Sequence, residues 1–179
     1  MNSQIDFDLD KAVRKVKDFP KKGILFYDVT GIFTNPVVFK RVVDKATQIY
    51  KDKKIDSILA VESRGFLFAA PISYNLGVPL ALARKAGKLP GETIQESYKL
   101  EYGVATLEVH IEDIKKGSRV LIIDDLIATG GTLKACANMV EKLGAVVAGI
   151  FGVIGLPFLK YADVLKDYEI TSLINYDSE

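Results

Sequence analysis

A single cysteine among 179 residues rules out an intrachain disulfide, so the fold has to be held by its core rather than by covalent staples. That cysteine, Cys136, falls on the apolar face of a predicted helix and reads as a small buried hydrophobe rather than a nucleophile. Charge of one sign is missing as well: 24 basic and 23 acidic residues leave a formal net charge of +1. No broad field draws the chain to nucleic acid or to a membrane surface, and any anion must be bound by local arrangement. No apolar run approaches the roughly 18 residues of a membrane span, and the N-terminal stretch lacks an apolar signal core, so a cytoplasmic protein is expected. The one histidine, His110, sits in the polar phase of an alternating segment, where a surface position is expected. Two phosphate-binding signatures are absent. Gly131 is followed by Thr132 rather than Lys, which excludes a Walker loop, and Gly149, Gly152 and Gly155 do not spell a dinucleotide fingerprint. No internal repeat is visible, and the length suits one domain, residues 1–179, with a sizeable core.

What is present concentrates between Val120 and Thr132, V-L-I-I-D-D-L-I-A-T-G-G-T. Val120 to Ile123 is a continuous β-branched run, the pattern of a strand buried on both faces of a parallel sheet. It ends in Asp124 and Asp125, then in Ala128-Thr129-Gly130-Gly131-Thr132, after which Leu133, Cys136, Ala137 and Val140 mark a helical face. Glycines let backbone approach a ligand, and successive N–H groups at a helix start bind an anion. Two carboxylates one turn earlier accept hydrogen bonds from vicinal hydroxyls, directly or through a divalent cation. A ligand with a phosphate at one end and a diol in the middle, a ribose 5-phosphate, matches this order. The plainer reading is a strand end with acidic loop residues and a glycine helix cap, and it explains the acid pair alone better than the whole string.

Along the rest of the chain, Leu9 to Lys17 predicts a short amphipathic helix ended by Phe19-Pro20-Lys21-Lys22-Gly23. Leu25-Phe26-Tyr27 is an apolar, aromatic segment suited to stacking a base beside a sugar-phosphate site. Pro36 to Tyr50 predicts a structural helix. Ile55 to Val61 is a buried strand running into Glu62-Ser63-Arg64-Gly65, a charged loop at a strand's C-terminal edge, where α/β sheets bind ligands. Val78 to Ala83 is a third strand. Arg84 to Gly91 then turns basic and Gly/Pro-punctuated, the composition of a lid whose Arg84, Lys85 and Lys88 neutralise a pyrophosphate, with Leu89-Pro90-Gly91 near its tip. Ser97 to Ile111 alternates and predicts an antiparallel hairpin. Ala145 to Ile154 and Ile170 to Ile174 are strands, with a helix from Leu159 to Lys166 between them. The order predicts a mostly parallel α/β sheet flanked by helices, with a small N-terminal hood (about 1–35) and a flexible β-hairpin flap (about 84–111).

The Val120–Thr132 string resembles the phosphoribosyl-pyrophosphate (PRPP) signature of the type I phosphoribosyltransferases. The segments Phe19 to Asp28 and Leu100-Glu101-Tyr102-Gly103 are similar to those of its adenine-using members. The resemblance implies transfer of phosphoribose from PRPP to adenine, giving AMP and pyrophosphate in purine salvage, with Mg²⁺ bound with PRPP. It implies that Asp124 and Asp125 hold the ribose, and the metal indirectly through PRPP and water, while Ala128 to Thr132 hold the 5-phosphate. Glu62, Ser63 and Arg64 would form the pyrophosphate loop, with a non-proline cis peptide. Leu25, Phe26, Tyr27 and Leu126 would line the adenine pocket, Phe26 as the stacking ring. Glu101 and Arg64 are the catalytic candidates, Glu101 as proton carrier for the purine. Members often carry a basic residue where this chain has Tyr27. A homodimer is implied. Transfer to xanthine or another purine, or a non-catalytic PRPP sensor, are the alternatives; a sensor is expected to carry an added DNA-binding element, for which the length leaves little room.

Overall fold

The computed structural model describes residues 3–99 and 103–178. Among them, seven strands form one sheet in the order β5-β6-β4-β3-β7-β8-β9. Its centre is parallel: β3 (Ser57–Val61) lies between β4 (Leu80–Lys85) and β7 (Arg119–Ile127), and β8 (Val146–Gly155) and β9 (Ile170–Asn175) extend it on the far side. At the other edge β5 (Thr93–Lys99) and β6 (Val104–His110) form an antiparallel hairpin that joins β4.

The unbroken apolar runs of β3 and β7 follow from burial on both faces. Ile58, Ala60, Leu121 and Ile123 pack with α3 (Pro36–Tyr50) and α4 (Gly65–Leu76) on one face. Leu59, Val61, Val120 and Ile122 meet Leu133, Cys136, Ala137 and Val140 of α5 (Gly131–Lys142) on the other. Each buried Val, Leu or Ile among them contributes about 1.5–3 kcal/mol on leaving water. Helix α3, preceded by the single turn α2 (Thr30–Phe33), starts where its chemistry dictates: the Asn35 side chain accepts the Val38 N–H at 3.2 Å, and Pro36 fills the first turn. Cys136 is fully buried, and burial pushes its thiol well above the usual range, so no thiolate forms there at neutral pH. No helix among the described residues is long and apolar enough to cross a membrane.

Four boundaries differ from the sequence reading. The predicted helix from Leu9 to Lys17 stops early: α1 is Ser3–Ala12, and Arg14–Lys17 is β1, paired antiparallel with β2 (Leu25–Asp28). Leu9 and Val13 supply the buried stripe, whereas Val16, 41% exposed, belongs to the strand, where cross-strand pairing overrides the helical period. The third strand runs on through Arg84 and Lys85, because β6 continues the ladder there, with Arg84 opposite Glu108. The predicted helix from Leu159 to Lys166 is a 3₁₀ turn, Pro157–Leu159, and then a single α-turn, α6 (Tyr161–Val164), separated by Lys160 in left-handed backbone at φ +57°. The acid pair stands inside β7 rather than beyond its end.

The hairpin is present, but Leu89-Pro90-Gly91 is not at its tip. It joins β4 to β5 at the opposite end from the β5–β6 turn, whose Leu100, Glu101 and Tyr102 lie outside the described residues. A buried carboxylate pins that joining loop: Glu108, 2% exposed, accepts the Lys88 and Leu89 N–H groups at 2.7 and 2.8 Å and the Gln95 amide at 3.2 Å. Burial opposes ionisation of Glu108, yet these donors outweigh it and hold the carboxyl below its usual range. The stability it confers is therefore present above the unfolded carboxyl pKa, about 4.3, and is lost as the pH falls through the lower folded value. Glu108→Ala is expected to cost about 2–3 kcal/mol, since the three charge-assisted bonds that the buried carboxylate accepts are broken. Limited proteolysis of this variant should open cleavage after Lys85 or Lys88, which the parent resists.

Candidate active site

The loops after β3 and after β7 leave the same edge of the sheet and enclose a cavity of about 340 Å³. Val61, Glu62, Ser63, Arg64, Lys85, Tyr98, Asp124, Asp125, Leu126 and Thr132 line it. Parallel neighbours bring this about: Ala60 of β3 lies opposite Ile123 of β7, so the residues that follow each strand emerge side by side. One contact ties the loop after β3 to the end of β7. Arg64 Nε donates to Asp125 Oδ2 at 2.5 Å.

The two acids are not equivalent, because successive strand residues face opposite ways and meet different surroundings. Asp125 is bonded to Arg64. Asp124 accepts the Asp125 N–H at 2.8 Å and sits under the first turn of α4, where Gly65 leaves no room for a side chain. A Cβ on Gly65 would come within 2.9 Å of the Ile123 carbonyl and 3.2 Å of Asp124 Oδ1. Burial first, then the neighbouring Asp125 charge, pushes the Asp124 carboxyl well above the usual carboxylate range, with Arg64 only partly offsetting this. Arg64, in turn, is held above its ordinary value by Asp125 and Asp124 against the cost of its partial burial.

Glu62 holds the second loop in shape. Its peptide bond to Ser63 is cis, and its N–H donates to the Ala83 carbonyl. Its carboxylate accepts the Lys85 N–H at 2.9 Å and Arg84 Nη2 at 3.3 Å. Burial opposes ionisation, but those donors and charges bring the Glu62 carboxyl below its usual range. Arg84 also donates to the Lys88 carbonyl at 3.2 Å; the Lys85 and Lys88 residues are exposed, and Lys85 lines the cavity.

The turn from β7 into α5 has the geometry of an anion cradle. Gly130, at φ +84°, caps α5, and a Cβ there would meet Leu165 and Tyr161 at 3.2–3.3 Å, so the packing of α6 and the left-handed backbone both demand glycine. Thr129 is exposed and Gly131 and Thr132 are half-buried, leaving the first N–H groups of α5 open, while Ala128 packs on the core. Phe26 of β2 reaches the site from the hood, its ring centroid 6.0 Å from the Arg64 guanidinium and edge-on to Phe19 at 5.1 Å. Tyr27 does not join it: its side chain is 5% exposed and turned into the core. Leu25 and Leu126 are half-buried, with Leu126 on the cavity wall. Glu101 lies outside the described residues. His110 is half-buried at the end of β6 and lines no part of the cavity.

Two residues escaped the sequence reading. Tyr98 of the hairpin lines the cavity and packs against the α5 face of the sheet; its place in one phase of β5 with Ile94 and Glu96 was the available signal. Glu108 carries the opposite lesson, since a carboxylate between Leu107 and Val109 reads as solvent-facing.

Residues 28–176 match the family described as the phosphoribosyl transferase domain. The chain is 60% identical over 171 residues to the adenine phosphoribosyltransferase of Treponema denticola, covering 96% of this chain and 90% of the relative. Its structure is similar to crystal structures of adenine phosphoribosyltransferase from Thermoanaerobacter pseudethanolicus (TM-score 0.92, 43% identity, 95% of this chain and 99% of that one). It is also similar to the Saccharomyces cerevisiae enzyme complexed with an imino-altritol bisphosphate and adenine (TM-score 0.90, 38% identity, 96% and 99%). The chain belongs to the phosphoribosyltransferases of this fold and, within them, to the adenine phosphoribosyltransferase family.

Proposed function

We propose that the protein transfers the 5-phosphoribosyl group of PRPP to adenine, releasing AMP and pyrophosphate, as a step of purine salvage. The observation that carries the reading is the Arg64–Asp125 contact, which fastens a pyrophosphate-type loop to a ribose-phosphate turn with an aromatic ring, Phe26, against the same guanidinium. The yeast relative bound to adenine and a bisphosphate supports it.

In this reading the first N–H groups of α5 and the Thr129 and Thr132 hydroxyls hold the 5-phosphate, and the carboxylate of Asp125 orients the ribose diol. Departure of pyrophosphate leaves positive charge on the sugar and negative charge on the leaving group. Arg64, Arg84, Lys85 and Lys88 stabilise the departing anion, and Phe26 holds the base parallel to its own ring. Glu101 manages the purine proton. Among the described residues no group of three or more His, Cys, Asp or Glu side chains assembles a metal site. The donor set instead suits a hard cation that takes most of its ligands from PRPP oxygens and water, with Asp124 and Asp125 as the protein's acids. Mg²⁺ bound in this way would offset the negative charge of the pyrophosphate.

Incubating the protein with adenine, PRPP and Mg²⁺ is expected to yield AMP and pyrophosphate in equal amounts, read by chromatography. Binding of PRPP without turnover of any purine base would replace the enzyme with a sensor. A cytoplasmic location belongs to the proposal, supported by a lone cysteine that is buried and free.

A homodimer is also part of it. The outer side of α4 carries Leu67 (51% exposed), Ala70, Pro71 and Tyr74 (87% exposed), an apolar stripe at helical spacing that begins just beyond Arg64. A second copy seated on this stripe would brace the pyrophosphate loop. Tyr74→Glu is expected to halve the mass measured by light scattering; an unchanged mass would remove α4 from the interface.

A further inference from the structure

We propose that Tyr176, in the segment after the last strand, is a positioning residue for the base: it grips β2 from behind and sets where Phe26 and the β2 backbone meet adenine. This rests on the reading of β2 as the base-binding strand.

The contacts form a closed set. The Tyr176 ring stacks on the Tyr27 ring, centroids 4.0 Å apart and planes 13° from parallel. The Tyr27 hydroxyl donates to the Ser178 carbonyl at 3.0 Å, so the tail meets Tyr27 at both ring and hydroxyl. The tail itself is fixed. The Tyr176 N–H donates to the Gly155 carbonyl at the end of β8, and the Tyr176 hydroxyl donates to Asp10 of α1 at 2.8 Å. Asp10 also accepts from Lys15 at 2.6 Å, and Lys15 stands opposite Tyr27 in the β1–β2 ladder with its ammonium 5.0 Å from the Tyr176 ring centroid. The Lys15 and Tyr176 hydrogen bonds outweigh partial burial and hold the Asp10 carboxyl below its usual range, so the phenol has an anion to bond at neutral pH.

Tyr27 and Phe26 are neighbours on a strand and therefore face opposite ways. The buried ring is gripped and the other ring looks onto Arg64. The hood sheet has two strands, a small unit to fix the position of a base by itself. A tail anchored in the main sheet supplies the missing stiffness, because a binding group is only as well placed as the shell that supports it.

The test compares Tyr176→Ala, Tyr176→Phe and Phe26→Ala in steady-state kinetics. Tyr176→Ala is expected to raise KM for adenine roughly threefold to tenfold, the equivalent of one aromatic pair, with kcat and KM for PRPP within about twofold of the parent. Tyr176→Phe keeps the stack and is expected to restore most of the adenine KM. Should Tyr176→Ala fail to fold, Tyr176→Leu fills the space without stacking or donating and carries the same expectation. Equal changes in both KM values, or none in either, would overturn the proposal. Phe26→Ala separates the two layers. If it leaves the adenine KM unchanged, the base-strand reading fails. If it raises the adenine KM while the Tyr176 variants do not, the strand reading stands and the grip falls. Amide exchange over residues 24–28, faster in Tyr176→Ala than in the parent, reads the grip directly, and unchanged exchange would count against it.

Discussion

Adenine is expected to be used with a kcat/KM roughly 10⁴–10⁵ above hypoxanthine, guanine or xanthine, the discrimination available to a site whose buried polar groups match one hydrogen-bonding pattern. Adenine presents a donating exocyclic amine and an accepting N1. The oxo purines present a carbonyl and a protonated N1, the reverse of both. β2 pairs with β1 along one edge, and among the described residues no strand covers its other edge. Every second residue of an edge strand turns its N–H and C=O outward. A carbonyl facing the exocyclic position accepts from adenine and repels an oxo group, and a nearby N–H pairs with N1 only when N1 is bare. With backbone groups doing the reading, the burial of the Tyr27 side chain is expected to leave selectivity intact. Pyrophosphate release with each base in turn measures it. Comparable efficiency for any oxo purine would remove the base assignment and leave the PRPP site standing.

The parts of this site that the sequence announces are those fixed within one βα unit. The β7 run, the acid pair and the Gly/Thr turn are local, so the strand, the turn and the helix that follows are legible between Val120 and Thr132. The charged loop after β3 is legible for the same reason. What sequence does not disclose comes from distant partners. That Asp125 is bonded to Arg64, sixty-one positions away, depends on strand order. The burial of Glu108 depends on a loop folding back over β6, and nothing in a polar strand position reveals it. β1 looked helical because its one apolar residue kept the period of α1, and only its pairing with β2 decides otherwise. Tyr27 is the clearest case. It and Phe26 are adjacent aromatics, and which of the two turns inward is not legible locally: Tyr27 stacks on Tyr176, at the other end of the chain, while Phe26 lies against Arg64.

Substituting the two acids by Asn should separate their roles. Asp125→Asn keeps the size and one acceptor but loses the charge that Arg64 faces. Turnover is expected to fall by about 10²–10³, the effect of removing one preorganised charged group from a transition state, and the dependence on Mg²⁺ to shift to higher concentration. Normal kinetics with a normal Mg²⁺ titration would leave Asp125 as a mere anchor for Arg64. Asp124→Asn should impair PRPP binding while making the ligand-free protein more stable. The buried Asp124 carboxyl holds its proton more tightly folded than unfolded. Stability from this group is fully present below the unfolded pKa of about 3.9 and is lost as the pH rises to the higher folded value, after which the penalty is constant. Asn keeps the acceptor for the Asp125 N–H and carries no such penalty. Its advantage in urea denaturation should therefore be small at pH 3.5, grow as the pH rises through that window, and then level off. Saturating PRPP and Mg²⁺ should erase it, because the bound ligand stabilises the parent more than the variant. A constant difference across pH, or a variant less stable than the parent without ligand, would mean that Asp124 is kept for the fold rather than held at a cost for the substrate.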